Sequence, residues 1–242
     1  MTALLSVTDL EAGHGLLTAV RGMSLAVAEG ETVALVGANG AGKTTLLRTI
    51  AGAHPANRGH VVFAGEDVTH LPAHRRVRRG IALVPEGRRL FGDMTVEENL
   101  QVAGRRARPG PWTLDRVLEA FPMLQPLRGR RGASLSGGEQ QATAIGRALM
   151  TNPRLLLVDE VSLGLSPVAV DAVYGCLAAL TGTGDSTLVL VEQDLGRAMA
   201  VAGRVICMLE GRIVLEAPSD RVTREQVTAA YFGVDRVHST EG

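Results

Sequence analysis

Lys43 and Thr44 end a glycine-rich octapeptide, Gly37-Ala-Asn-Gly-Ala-Gly-Lys-Thr44, whose residue types suit the grip of a phosphate chain. Its glycines let successive backbone N–H groups converge on anionic oxygens, Lys43 adds a cation, and Thr44 adds a hydroxyl of the kind that ligates magnesium. Two acids, Asp159 and Glu160, close the apolar run Leu155-Leu-Leu-Val158. Carboxylates at the end of a buried strand demand a cation or a polar partner, and magnesium is the expected one. In Leu135-Ser-Gly-Gly-Glu-Gln-Gln141, Ser136 and Glu139 have capping-box spacing. Gly137 and Gly138 also strip side chains from the opening of that helix, which lets an anion approach its N–H groups.

The elements around these residues are those such chemistry needs. Leu4–Asp9, Ser24–Val27 and Thr32–Val36 read as strands, and Thr32–Val36 runs straight into the glycine loop. Lys43–Ala51 reads as the helix that follows. Val61–Phe63 and Ile81–Val84 are further strands, and the basic stretch Arg75–Arg79 between them reads as a solvated helix face. From Thr95 to about Leu149 the pattern turns helical, with a capping box at Thr95–Glu98 and a long helix from Ser136 that Pro153 must end. Leu155–Val158 and Thr187–Val191 are continuous apolar runs suited to central parallel strands. Pro167 suits the first turn of a helix carrying Val170, Val173, Leu177 and Leu180 on one face, and Arg204–Leu209 with Arg212–Leu215 reads as a hairpin around Glu210-Gly211. Alternating strands and helices predict a mostly parallel α/β core. The division expected is a core lobe of residues 1–91 and 152–242 with a helical lobe at 92–151.

Composition narrows the function classes. With 242 residues, 45% of them hydrophobic, the chain can bury a large core. Its 25 basic and 25 acidic residues leave no global field to draw it toward nucleic acid or an anionic membrane. Cys176 and Cys207 lack metal-ligand spacing and suit packing roles in a reducing compartment. The N-terminal segment lacks the pattern of a secretory signal, and apolar runs fall short of the ~20 residues a membrane helix needs. A membrane role would therefore require docking from the cytoplasm.

The octapeptide, Leu135–Gln141 and Leu155–Glu160, in that order, resemble the ATP-binding cassette of ABC ATPases. The resemblance implies a RecA-like P-loop core with an antiparallel β-subdomain and an inserted helical lobe. It implies ATP and Mg2+ as ligands, with nucleotide contacts from Gly37, Asn39, Gly40, Ala41, Gly42, Lys43, Thr44 and Thr45. Thr44, Asp159 and Glu86 would serve the metal, and Glu160 would polarise the attacking water. Ser136, Gly137 and Gly138 would reach the γ-phosphate held by a second cassette, so a homodimer or sister heterodimer is implied. Ser162–Leu165 corresponds to the family's interfacial D-loop. Four positions depart from the commonest pattern: His14 stands where an aromatic residue stacks on adenine, Glu86 replaces a glutamine, Val161 a proline, and Gln193 a γ-phosphate-contacting histidine. The segments VPEGRRLF, MTVEENL, DEVSLGLSP and LVEQD, with the ending Ala230–Gly233, resemble the ATP-binding subunits of branched-chain amino-acid importers of the LivF type. Permease subunits at the cytoplasmic face of the membrane and, indirectly, a solute-binding protein are then the expected partners, with Glu86–Phe91 at the coupling junction and no nucleic acid. The alternative is a soluble ABC ATPase acting on nucleic acid or ribosomes.

Overall fold

The computed structural model describes residues 3–105, 107–181 and 186–232. A long hairpin of β1 (Ala3–His14) and β2 (Leu17–Ala28) leads to β3 (Thr32–Val36), the glycine loop and α1 (Lys43–Ile50). Next come β4 (Arg58–Phe63), β5 (Glu66–Asp67), α2 (Ala73–Arg79) and β6 (Ile81–Val84). The chain then becomes helical through α3 (Val96–Gly104), α4 (Leu114–Ala120) and α5 (Gly137–Leu149). It returns through β7 (Leu155–Val158), α6 (Pro167–Thr181), β8 (Thr187–Val191), α7 (Leu195–Val201), β9 (Arg204–Leu209), β10 (Arg212–Pro218) and α8 (Arg224–Phe232). Gly233, the end of the expected C-terminal motif, lies outside the described residues.

Two sheets result. One is antiparallel, β2-β1-β4-β5; the other is β10-β9-β3-β8-β7-β6, parallel between neighbours except where β10 meets β9. The continuous apolar runs explain the second sheet's burial on both sides. Val36, Leu156, Val158 and Leu190 join one core cluster, whereas Leu35, Leu155, Leu157 and Val191 join the other. The first cluster extends to Leu100, Val117 and Ile145 of α3, α4 and α5, so the helical insertion packs on one face. The antiparallel β-part, the parallel core and the inserted helices are the arrangement the sequence predicts.

Strand bounds at the N-terminus differ from the sequence reading. The sequence reading ends the first strand at Asp9 and begins the second at Ser24, yet β1 runs on to His14 and β2 begins at Leu17. The structure absorbs Asp9 as a bulge: the register shifts between Val7 and Leu10, Asp9 takes φ 47°, and its N–H donates to Ser24 Oγ at 2.9 Å. The hairpin therefore reaches His14, next to the glycine loop.

The basic stretch also requires correction. Arg75 and Arg78 are exposed as expected, but Arg76 is only 2% exposed. Its guanidinium donates to the carbonyls of Leu71, Thr49, Ile50 and Thr69 at 2.7–2.8 Å, closing the end of α1 onto the loop before α2. Burial lowers its pKa to about 10, which leaves it charged at neutral pH. Cys207 is buried as expected, whereas Cys176 is only partly so. Truncation of Arg76 strands several buried carbonyls together. Arg76→Ala is expected to cost roughly 3 kcal/mol or more and Arg78→Ala less than about 0.5 kcal/mol, measured by urea denaturation.

Candidate functional site

Each loop of the site leaves the carboxyl end of a parallel strand. From β3 the chain enters the octapeptide with Gly37 at φ 147° and Gly42 at φ 100°. A Cβ on Gly37 would lie 2.2 Å from Met208 O, and one on Gly42 2.2 Å from Ala19 O. Glycine is needed here both for the backbone angles and because β9 and β2 press directly on the loop. The β9–β10 turn braces it from below, with Gly211 N–H donating to Ala41 O at 3.0 Å. The loop and the start of α1 line a cavity of about 230 Å³, together with His14, Leu17, Ala19 and Glu160.

Lys43 is 5% exposed, and its Nζ donates to Gly37 O at 2.6 Å and Ala38 O at 2.9 Å. Burial lowers its pKa, and the charges of Glu160 and Asp159 oppose that fall. Asp159, at the end of β7, is 1% exposed; its Oδ1 accepts from Thr44 Oγ1 at 3.0 Å, while its buried Oδ2 has no hydrogen-bond partner. Burial raises its pKa, with smaller contributions from the charges of Glu160 and Glu86. A hydroxyl and an unsatisfied carboxylate oxygen at the foot of a phosphate cavity fit a hard divalent cation that takes its remaining ligands from phosphate and water. Glu86 is exposed and acts on Asp159 through its charge.

Glu160 follows in a left-handed conformation, φ 55°, which is costly for a residue with a side chain. Its Oε1 accepts from Gln193 Nε2 at 3.0 Å, and the same amide nitrogen lies 3.3 Å from Asn39 Oδ1. Gln193 thus joins the ends of β3, β7 and β8. His14 stands at the cavity rim with its ring 4.5 Å from that of His54 and its Nε2 3.4 Å from Thr45 Oγ1. His54 Nε2 is 3.0 Å from Gly13 O.

Ser136, Gly137 and Gly138 lie apart from this cavity, at the start of α5. Ser136 N–H donates to Glu139 Oε2 at 2.7 Å and Ser136 Oγ accepts from Glu139 N–H at 3.5 Å, so the capping box is real. The glycines have a packing role as well: a Cβ on Gly138 would lie 2.6 Å from the Ala169 Cβ of α6, and one on Gly137 3.1 Å from Leu165. Their bareness lets α5 approach the loop that follows Glu160.

Two polar residues of this region, His54 and Glu192, escaped the sequence reading, and a third, Arg88, was read only as part of the coupling junction. His54 supports His14. Arg88, at φ 62°, donates to Gln140 Oε1 and to Leu163 O, both at 3.1 Å. Glu192, 1% exposed, accepts four hydrogen bonds. No local pattern marks their contacts with Gly13, Gln140, Leu163 and Ser162, which come from distant segments.

Asp159 gives a stability prediction with a definite sign. Its folded pKa stands above the ordinary 3.8, so the carboxyl favours folding below the unfolded value and that contribution is lost as pH rises through the raised folded value. Asp159→Asn should stabilise the nucleotide-free protein at pH 7–8 by about 1 kcal/mol, roughly 2–4 °C in Tm. Thermal melts should show the gain shrinking as pH falls toward 4; a variant less stable at pH 7–8 would contradict the unfavourable burial of this charge.

Comparison with known proteins is consistent with this geometry. A family model described as "ABC transporter" matches residues 20–162. The chain is 41% identical over 233 residues to the high-affinity branched-chain amino acid transport ATP-binding protein BraG of Pseudomonas aeruginosa, covering 95% of this chain and 100% of that one. It is 31% identical to a probable branched-chain amino acid transport ATP-binding protein LivF of Archaeoglobus fulgidus, over 92% of this chain and 95% of that one. Among solved structures, the ADP conformation of the ABC cassette MJ1267 superimposes with TM-score 0.78 at 26% identity over the whole of both chains. A dimeric structure of MJ0796, a bacterial ABC transporter cassette, gives TM-score 0.77 at 25% identity over 89% of this chain and 98% of that one. On sequence match and fold alike, the chain belongs to the ABC transporter family and is one of its ATP-hydrolysing cassettes.

Proposed function

We propose that this cassette powers an importer of branched-chain amino acids or closely related small solutes, working as half of a dimer that closes on two ATP molecules. The observation that carries the reading is that the site is divided. Lys43, Thr44 and Glu160 line one cavity, with Asp159 hydrogen-bonded to Thr44 behind it, while Ser136–Gly138 are absent from its lining and pack against Leu165 and Ala169. A second cassette, in the manner of the dimeric MJ0796 structure, would bring its own Ser136–Gly138 to the first one's γ-phosphate. The solute class rests on the names of BraG and LivF.

In this reading the loop N–H groups and Lys43 neutralise the β- and γ-phosphates, with Asn39, Gly40, Ala41 and Thr45 completing the cradle and His14 beneath the adenine. Thr44 and Asp159, with Glu86 nearby, would hold magnesium, which would supply charge neutralisation on the phosphate oxygens. Glu160 accepts a proton from the attacking water as the new O–P bond forms and the bond from the γ-phosphorus to the oxygen bridging to ADP breaks. Gln193 holds the Glu160 carboxylate in place; its amide cannot become cationic, so it adds no titration of its own. Loss of the γ-phosphate removes the contact between cassettes and reopens the pair. Residues 92–151 would move as the helical lobe against the core formed by 1–91 and 152–242.

Among the described residues no helix is long and apolar enough to cross a membrane, so solute passage falls to permease partners, with a solute-binding protein upstream and the cassette peripheral at the cytoplasmic face. A groove of about 410 Å³ between the end of β6 and the helical lobe suits a permease helix. It is lined by Arg89, Phe91, Val102, Ala103 and Ala148, and Phe91 is 51% exposed. Arg88 is turned inward to Gln140 and Leu163, which leaves Arg89 as the arginine of this segment that faces the groove.

Glu160→Gln should retain ATP binding and lose about 10²–10⁴-fold in kcat, measured with purified protein; normal turnover refutes the assignment. Arg89→Ala combined with Phe91→Ala should lower the ratio of permease-stimulated to unstimulated hydrolysis about tenfold in proteoliposomes, as for loss of an interface hot spot. With the cognate permease and binding protein, leucine, isoleucine or valine should raise ATPase activity. Stimulation confined to chemically unrelated solutes would sink the importer reading.

A further inference from the structure

Glu192 directly follows β8 and is a buried carboxylate for which the hydrolytic scheme above has no use. Isolated, such a charge is costly, so four donors directed at it call for a reason. Its Oε1 accepts from Ser162 N–H at 3.1 Å. Its Oε2 accepts from Ser162 Oγ at 3.0 Å, Gln193 N–H at 2.9 Å and Asp194 N–H at 3.3 Å. Two donors belong to the loop that follows Glu160, and two to the turn that carries Gln193. The carboxylate is therefore a clasp between segments thirty residues apart in sequence. The hydroxyl of Tyr174, on α6, is pushed up by burial and by the Glu192 charge.

We propose that Glu192 is a positioning residue for hydrolysis: by fastening Ser162 to the Gln193 turn, it makes the Glu160 loop and the Gln193 amide a single rigid unit. The proposal rests on the role assigned to Glu160 above. The geometry gives the clasp a definite task. Glu160 sits in a left-handed conformation that its own side chain disfavours, and it is followed by Val161, whose backbone is free of a proline ring. On one side Gln193 Nε2 holds the Glu160 carboxylate; on the other, Glu192 holds Ser162, two residues along. A strained residue persists only where its surroundings over-determine it, and these two contacts come from adjacent residues of one turn. None of the four hydrogen bonds to the Glu192 carboxylate comes from the glycine loop, so nucleotide affinity and turnover should separate.

Glu192→Gln keeps the volume but replaces one acceptor oxygen by a donor facing N–H groups. Steady-state ATPase kinetics and binding of a fluorescent ADP analogue would be measured on the wild type, Glu192→Gln, Ser162→Ala, Gln193→Ala, the Glu192→Gln/Gln193→Ala double variant and Glu160→Gln. For Glu192→Gln, kcat should fall tenfold or more with KM and the analogue's Kd within twofold. The double variant should be no slower than the more impaired single variant, because both act through Glu160. If Glu192→Gln does not fold, Ser162→Ala, which removes one of the four donors, should still lower kcat two- to fivefold at constant KM, and an unchanged kcat there overturns the proposal. Losses that multiply in the double variant, or that appear in KM and Kd, also overturn it, since a merely structural role would spread in that way. Normal turnover by Glu192→Gln beside an inactive Glu160→Gln defeats the clasp alone. Normal turnover by Glu160→Gln defeats the assignment beneath it and the proposal with it.

Discussion

A buried lysine beside buried carboxylates is the constraint around which this molecule is organised. Lys43 is withdrawn from water with two backbone carbonyls as partners, and Asp159 is withdrawn with one oxygen unpartnered. Neither arrangement satisfies the charge as water would. The packing around the site thus holds both charges in an electrostatically unfavourable arrangement, which an anionic phosphate at Lys43 and a cation at Asp159 would relieve. The strand order makes this possible. β8 lies between β3 and β7, so the loop bearing Lys43, the turn bearing Gln193 and the acids Asp159 and Glu160 emerge side by side from one edge. With neighbouring strands about 4.8 Å apart, the outer two of these three are within reach of a single side chain, and the Thr44–Asp159 hydrogen bond spans them.

The helical insertion reaches this edge through few contacts, and they are specific. The glycine pair lets α5 meet α6 at Ala169 without side chains between them, and Arg88 adds a polar tie from Gln140 of α5 to the Leu163 carbonyl. Arg88 and Arg89 both have positive φ, two successive residues in a conformation that side chains disfavour. The segment between β6 and the helical lobe is consequently a bent connection braced at its ends: Arg147 donates to Arg88 O at 3.0 Å and lies 5.5 Å over the Phe91 ring. A change in lobe position would alter the Leu163 contact, which lies three residues beyond Glu160. Lobe and acid are linked by chain continuity and by hydrogen bonds together.

Local chemistry determined how much could be read from the sequence. The phosphate loop, both capping boxes and the central strands were legible because each is defined by residues within a few positions of one another: Gly37–Thr44, Thr95–Glu98, Ser136–Glu139 and Leu155–Val158. Arg76 was misread because a helix face of arginines looks solvated until the carbonyls of Thr49 and Ile50 are known to lie against it. The reach of β1 and β2 was underestimated because a bulge at Asp9 and a strand end have the same punctuation. His54 and Glu192, and the contacts of Arg88 within the coupling junction, were illegible for a common reason: the contacts that give each its meaning reach 30 to 75 residues away across a fold not yet known. Gln193 was read from its motif as standing where a histidine contacts the γ-phosphate, whereas its contact with Glu160 required coordinates.

The replacement of the usual proline by Val161 shows how covalent and noncovalent restraint can substitute for one another. A proline at 161 would fix its own φ and narrow the choices of Glu160 before it. Val161 does neither, but its side chain is fully buried, so the segment is anchored by packing at that position. One residue later Ser162 is held through both its N–H and its hydroxyl. Such restraint differs in kind from a ring: hydrogen bonds can be exchanged when the loop meets another surface, whereas a pyrrolidine cannot be released. A loop fixed this way can be rigid in the free cassette and still adjust as it approaches a partner, which suits a segment lying between Glu160 and the edge of the molecule.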